Sequence, residues 1–208
     1  MIKKIISIVF LIFLSTSCKE IAEKTSEAII ENQKKEISGT YHTIKAEKIK
    51  VFLPEEFKYT NTQNYLNQIA QSGDSSAYYA EKKRFKDIQD SGKKIYLFEY
   101  LKGASIVKVL PERYVAFTNS DAKYMLGIVD NIIKANNTEI DFEIMESQFK
   151  GNKNISIFKV IYQVKSPKLI VDMYKYVYFI SYNKKSVFVN LETPSLLDFD
   201  PYIQKIRL

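Results

Sequence analysis

The sequence predicts an α+β domain over residues 40–208: a mainly antiparallel sheet with helices on both faces, an α/β/α sandwich. Three observations predict it. Lys94–Leu101 (KIYLFEYL) and Ser105–Leu110 are apolar on both sides, as strands are when each face of their sheet is covered. Between residues 139 and 191, four strand patterns follow one another through short turn pairs, which makes an antiparallel meander. Helical patterns precede the first pair of these strands, separate it from the meander, and close the chain.

In chain order, Lys48–Leu53 (KIKVFL) is a short strand that stops at Pro54, which has no amide hydrogen to offer a ladder. Thr62–Gln71 and Ser76–Gln89 are helices, the second with Tyr78, Phe85 and Ile88 on one side. Ser72-Gly73-Asp74 turns between them and Ser91-Gly92 ends the pair. Lys94–Leu101 sends Ile95, Leu97 and Leu101 one way and Tyr96, Phe98 and Tyr100 the other. Gly103 then turns the chain into Ser105–Leu110, which ends before Pro111. Ser120–Ala135 is a helix with Ser120 as N-cap, Asp121 and Lys134 suited to its two ends, and a stripe of Tyr124, Met125, Ile128, Val129 and Ile132. Asn136-Asn137 stop it. The meander strands are Glu139–Phe149, Ile155–Val164, Leu169–Tyr182 and Ser186–Leu191, joined in part by Gly151-Asn152 and Asn183-Lys184. A last short helix has Asp200 as cap, Pro201 at its first position, and Ile203 and Ile206 buried.

The amino terminus has a different character. Met1–Cys18 reads MIKKIISIVFLIFLSTSC: Lys3 and Lys4, an apolar run over Ile5–Leu14, small residues at 15–17, then the single cysteine of the chain. The apolar run is about half the ~20 residues of a membrane-spanning helix, which fits a secretory signal. A lone cysteine in an exported chain has no internal disulfide partner. This segment resembles the signal peptide of bacterial lipoproteins, although Leu14 lies one residue further from the cysteine than the usual leucine. The resemblance implies cleavage after residue 17 and a diacylglycerol on the Cys18 sulfur. With Lys19 rather than Asp next in line, it implies an outer-membrane destination in the cell envelope. The membrane, through the lipid on Cys18, is therefore the first expected partner. Residues 18–39 are charged with sparse apolar positions, a tether too short of apolar contact to hold a helix alone.

Removal of residues 1–17 leaves 29 basic against 24 acidic residues, a net charge of +5 spread along the chain. Such an excess favours anionic surfaces, but it lacks the clustering a nucleic-acid site requires, so no nucleic-acid partner is expected. His42 is the only histidine and glycine occurs six times, which leaves no histidine-based triad, no multi-histidine metal set and no glycine-rich phosphate loop. No cofactor or metal is expected. The order of elements, the "VFLP" opening at Val51–Pro54 and the terminal helix resemble the PsbP-like family, whose members share an α/β/α sandwich. No functional residue follows from that resemblance.

Three groups of side chains stand out. Tyr174, Tyr176, Tyr178 and Tyr182 share one strand face with Ile180. They are either a surface that stacks on sugar rings or anchors a partner protein, or a core face whose hydroxyls reach the edge of a covering helix. Glu139, Asp141 and Glu143 also share a face, roughly 6.6 Å apart; they form a row for a hard cation, or a solvated face balanced by Lys153 or Lys159. Lys82, Lys83, Arg84 and Lys86 interleave with Glu81, Asp87 and Asp90, as on a solvated helix. The expected function is a membrane-anchored envelope lipoprotein with a non-catalytic binding or assembly role toward an envelope protein or glycan. The alternative is a lipid-anchored hydrolase built on a carboxylate pair or metal that sequence does not reveal.

Overall fold

Strands whose two faces are both apolar assemble here into one seven-stranded, wholly antiparallel sheet. The computed structural model describes residues 37–135, 141–152, 154–165 and 172–208. The signal segment, Cys18, the tether up to residue 36, Glu139, Lys153, Asn136-Asn137 and residues 169–171 lie outside the described residues. Gly39–Leu208 form one compact unit.

The chain runs β1 (Thr40–Ile44), β2 (Ile49–Leu53), β3 (Lys58–Thr60), α1 (Thr62–Gln71), α2 (Ser75–Asp90), β4 (Tyr96–Tyr100), β5 (Ser105–Glu112), α3 (Ala122–Ala135), β6 (Asp141–Gly151), β7 (Ile155–Lys165), β8 (Met173–Tyr182), β9 (Lys185–Thr193) and α4 (Asp200–Ile203). The large sheet has the order β3-β4-β5-β9-β8-β7-β6, and β1 and β2 pair separately as a hairpin. The last four strands are the expected meander. Asn183 and Lys184 both take positive φ, 50° and 58°, the left-handed geometry that a two-residue hairpin turn needs to match strand twist.

Side chains alternate across this sheet into two separate cores. On one face, α1 and α2 pack Leu66 and Phe85 on Leu97 and Ile106. Beside them α3 packs Met125, Val129 and Ile133 on Phe142, Phe158, Val160, Tyr162, Val177 and Phe179. On the other face, the β1–β2 hairpin brings Ile44, Ile49, Val51 and Leu53 onto Phe98, Val107, Val109, Ile180, Val187 and Val189, with Phe199 and Ile203 of the C-terminal segment alongside. Each fully buried aliphatic or aromatic side chain contributes about 1.5–3 kcal/mol, so both layers are needed to hold the sheet. Helices therefore lie on both faces as the fold class requires, but the hairpin does most of the covering on the second. The hairpin is tied down by a two-way backbone pair, Lys50 N to Arg207 O at 2.8 Å and Arg207 N to Lys50 O at 2.9 Å.

Several local expectations are corrected. Leu101 leaves the strand in a 3-10 turn and is 67% exposed. β5 continues through Pro111, opposite Val187, because beyond Val109 it has β9 on one side only and a missing amide hydrogen is tolerated there. Thr118, not Ser120, opens the helical region. Its amide and hydroxyl both bond the Asp121 carboxylate, at 2.8 and 2.9 Å, and a 3-10 turn precedes α3. The predicted stripe of α3 divides: Met125 and Val129 are buried with Ile133, whereas Tyr124, Ile128 and Ile132 are exposed. Apolar residues cover more than half of this helix's circumference, so periodicity alone does not choose the buried row. Asp200 is the first residue of α4, with Phe199 at the cap, and its carboxylate is turned to other partners.

His42 belongs to β1 and lies against the Phe98 ring at 4.9 Å, with Nε2 buried and unpartnered among the described residues. Burial, aided by the charge of Lys58, lowers its pKa from 6.5. The fold thus prefers the neutral ring, and that contribution to stability is present above about pH 6.5 and is lost as pH falls through the lowered value. Urea midpoints of the wild type should decline from pH 7 to pH 5, and His42→Gln should flatten that decline.

Candidate functional site

The tyrosine row of β8 sits on the hairpin face, and the structure separates its members. Tyr176 and Tyr178 are each 1% exposed, Tyr174 is half-buried, and Tyr182, at the far end, is exposed. The buried pair is anchored by the segment that follows β9. The Tyr176 hydroxyl donates to the Leu197 carbonyl at 2.9 Å and accepts from the Leu197 amide at 2.8 Å. The Tyr178 hydroxyl donates to Asp200 Oδ1 at 3.0 Å. The other oxygen, Asp200 Oδ2, accepts from Lys150 Nζ at 2.9 Å and Lys159 Nζ at 3.1 Å. Lys159 also meets Glu146 Oε1 at 2.6 Å.

These groups form one wall of an open groove of about 380 Å³ between β6–β8 and the C-terminal segment. Ile161, Leu196, Leu197 and Phe199 supply its apolar part, and Glu146, Asp198, Asp200 and Lys159 supply its charge. Leu196 is 57% exposed and Leu197 37%, unusual for leucines on a segment whose neighbour Phe199 is buried. A smaller space of about 20 Å³, room for a single water, adjoins it beside Lys150, Ile157 and Ile203 and shares Lys159, Tyr178 and Asp200.

Electrostatics fix the protonation of this wall. Burial pushes the Asp200 carboxyl up, but hydrogen bonds from Lys150, Lys159 and Tyr178 outweigh it and hold the group below its ordinary range. Burial disfavours the Lys159 ammonium, yet Glu146 and Asp200 keep it charged, with a net upward shift. Burial and the Asp200 charge push the Tyr178 hydroxyl far above 10. Asp200 is thus an ionised acceptor and Tyr178 a neutral donor over the whole physiological range. A general acid needs a carboxyl raised toward neutrality, and Asp200 is shifted the other way. The wall is suited to presenting a fixed pattern of charge beside apolar surface.

A second ionic cluster lies on the helix face. The Lys108 side chain is fully buried in β5, with Nζ 3.0 Å from both Glu81 Oε1 of α2 and Glu192 Oε2 of β9. Arg84 reaches Glu81 at 3.3 Å, Lys175 reaches Glu192 Oε1 at 2.8 Å, and the Tyr65 ring lies 5.4 Å from the Lys108 ammonium. Burial raises Glu192, but Lys108, Lys175 and Arg84 together bring it well below the usual value. Lys175 is shifted down by burial, and Arg84 and Lys108 add to that shift. Arg84 therefore does not belong to the solvated charges of α2: with Glu81 it fastens that helix to the sheet. Lys82, Lys83 and Lys86 do remain exposed.

Of the acidic row, Glu143 pairs with Lys165, directly across the ladder from Asp141. Lys159, a suggested counter-charge for that row, serves Glu146 and Asp200 instead. The groove residues absent from the sequence reading are Glu146, Ile161, Leu196, Leu197, Asp198 and Phe199, with Lys159 and Asp200 present there in other roles. One signal was available: a lone lysine inside the apolar run of β7 demands a buried counter-charge.

No protein-family profile matches this chain, and no characterised protein matches it by sequence. Among solved structures, the Saccharomyces cerevisiae Ran-binding protein Mog1p aligns at 11% identity with a TM-score of 0.47, over 82% of this chain and 95% of its own. The solution structure of cyanobacterial PsbP (CyanoP) from Synechocystis sp. PCC 6803 aligns at 11% identity with a TM-score of 0.55, over 82% of this chain and 92% of its own. In fold, and at this identity in fold alone, the chain is similar to PsbP.

Proposed function

We propose that this protein is a lipid-anchored cell-envelope lipoprotein whose α+β domain binds a partner through the hairpin-face groove, a non-catalytic binding or assembly role. The observation that carries the binding role is the groove itself: exposed Leu196 and Leu197 beside a wall of ions already neutralised by one another. Such a surface gains by covering its leucines and has no desolvated charge left to neutralise. The rings of Tyr176 and Tyr178 are buried, so they offer no stacking platform for sugars. The exposed apolar side chains favour a protein segment as the occupant. Lipidation at Cys18 is supported by the order of charge, apolar run, small residues and cysteine over Met1–Cys18.

The test compares the wild type with Leu196→Arg, each recovered with its bound proteins from the envelope in mild detergent. Leu196 is largely exposed, so the substitution should change stability by no more than about 0.5 kcal/mol. A partner retained by the wild type and lost by Leu196→Arg is the expected result. Identical partner sets with both forms folded would remove the groove from the function.

A further inference from the structure

The two edges of the sheet are unequal. β3, at one edge, has three residues; β6, at the other, has eleven and is exposed along nearly its whole length. Ile144 and Met145 of β6 are 42% and 47% exposed. α3, which lies over β6 and β7, adds Tyr124, Ile128 and Ile132, exposed along one side at helical spacing. Single exposed apolar residues are ordinary, but here five occupy adjacent elements at an open edge.

Edges are commonly guarded by charges and bulges, and β6 carries both. Its register on β7 shifts between Ile144 and Glu146, leaving Met145 as the extra residue. That bulge reverses the alternation of faces. Before it, Phe142 enters the helix-face core; after it, Phe149 packs on the same core while Glu146, Gln148 and Lys150 line the hairpin-face cavities. In an unbulged strand, Phe142 and Phe149 would lie on opposite faces. With the bulge, an antiparallel second copy set so that Phe142 faces Phe149 matches faces from Asp141–Lys150 through Ile144–Ser147. A two-fold axis repeats each contact, and the two bulges meet in the middle without breaking the pairing on either side.

We propose that β6 pairs antiparallel with β6 of a second copy of this chain, with Asp141 opposite Lys150 and Phe142 opposite Phe149. The charges at the ends of the strand are complementary in this register, so each of the two Asp141 carboxylates meets a lysine. Lys150 also bonds Asp200, but its ammonium has three donors and is half exposed. The axis stands normal to the sheet, so both α3 helices, with their exposed apolar rows, fall on the same face of the joined sheet. This association does not require the groove to be occupied, although Glu146 of β6 lines that groove.

Directly opposed residues of an antiparallel pair have Cα atoms about 4.5–5.5 Å apart, within disulfide reach. Glu143 and Gln148 are opposed in the proposed register, whereas within one chain they lie about 16 Å apart along the strand. The full chain carrying Cys18→Ala, Glu143→Cys and Gln148→Cys should therefore form a disulfide-linked dimer on mild oxidation. The comparison chain with Cys18→Ala, Glu143→Cys and Ser147→Cys, whose pairing an unbulged register would require, should give several-fold less. Sedimentation of the wild-type chain in mild detergent should show a dimer at tens of micromolar. A monomer under those conditions, or equal cross-linking of the two cysteine pairs, overturns the proposal.

Discussion

Lys108→Ala is expected to cost about 3–5 kcal/mol of folding stability, because it empties a fully buried position and strips Glu81 and Glu192 of the partner they share. The Lys108 ammonium contacts Glu81 and Glu192 together, each at 3.0 Å, so it joins α2, β5 and β9. For a domain of this size the loss corresponds to a fall in Tm of roughly 6–20 °C. Lys108→Met should cost distinctly less. It keeps the volume of the lysine stem, while in both variants Arg84 and Lys175 still face Glu81 and Glu192. The pH dependence has a definite sign. Burial opposes the Lys108 charge, but Glu192 and Glu81 raise its pKa above 10.5, so its contribution is full below the unfolded value and is lost as pH rises through the folded one. Glu192 is lowered, so its contribution is full above about pH 4.3 and is lost as pH falls further. Thermal unfolding of the three chains from pH 3 to pH 8 checks the ranking and the acid limb. Equal stability of Lys108→Ala and Lys108→Met would show that loss of the charge, not of the packing of the lysine stem, governs the site.

Tyr178→Ala is expected to cost about 3–5 kcal/mol, the range for emptying a fully buried aromatic position. The more informative variant is Tyr178→Phe. It keeps the ring and deletes only the hydroxyl that donates to Asp200, a bond to a charged acceptor worth about 1.5–3 kcal/mol. Lys150 and Lys159 still hold the other carboxylate oxygen, which places the effect near the lower end. Asp200 is lowered in the fold, so its contribution is present above about pH 3.9 and is lost as pH falls. Without the tyrosine hydroxyl the folded value moves back toward the unfolded one, so that loss should be smaller and complete at a higher pH. Urea unfolding of wild type, Tyr178→Phe and Tyr178→Ala at pH 7 and pH 4 separates the ring from the hydroxyl. A Tyr178→Ala chain as stable as wild type would place this tyrosine outside the core.

The architecture was legible where a physical punctuation mark was present. Ser72-Gly73-Asp74 parted α1 from α2, and both Gly73 and Gly92 take the positive φ that ends a helix cheaply. The two-sided apolarity of β4 announced a covered sheet. β1 and β3 were not legible: Thr40–Ile44 and Lys58–Thr60 are short, mixed in polarity, and become strands only through β2 and β4. The ionic clusters were half legible. Lys108, Lys159 and Lys175 each stand alone among apolar strand residues and each requires a counter-charge. Their partners Glu81, Glu192, Glu146 and Asp200 come from a helix, two strands and the C-terminal segment, an assortment that only the tertiary fold brings together. The tyrosine row was legible as a row. The groove beside it was not, because its apolar wall is an irregular segment, Leu196–Phe199, with no period to read.

The proposed placement of this domain at a membrane rests on Cys18, and the most direct measurement is the mass of the mature amino-terminal peptide from protein recovered in the cell envelope. A peptide that begins at Cys18 and carries the mass of a diacylglycerol is the expected result, with a Cys18→Ala chain lost from the membrane fraction. A chain that retains residues 1–17 with an unmodified Cys18 thiol, or one that fractionates identically to Cys18→Ala, would contradict the anchored reading.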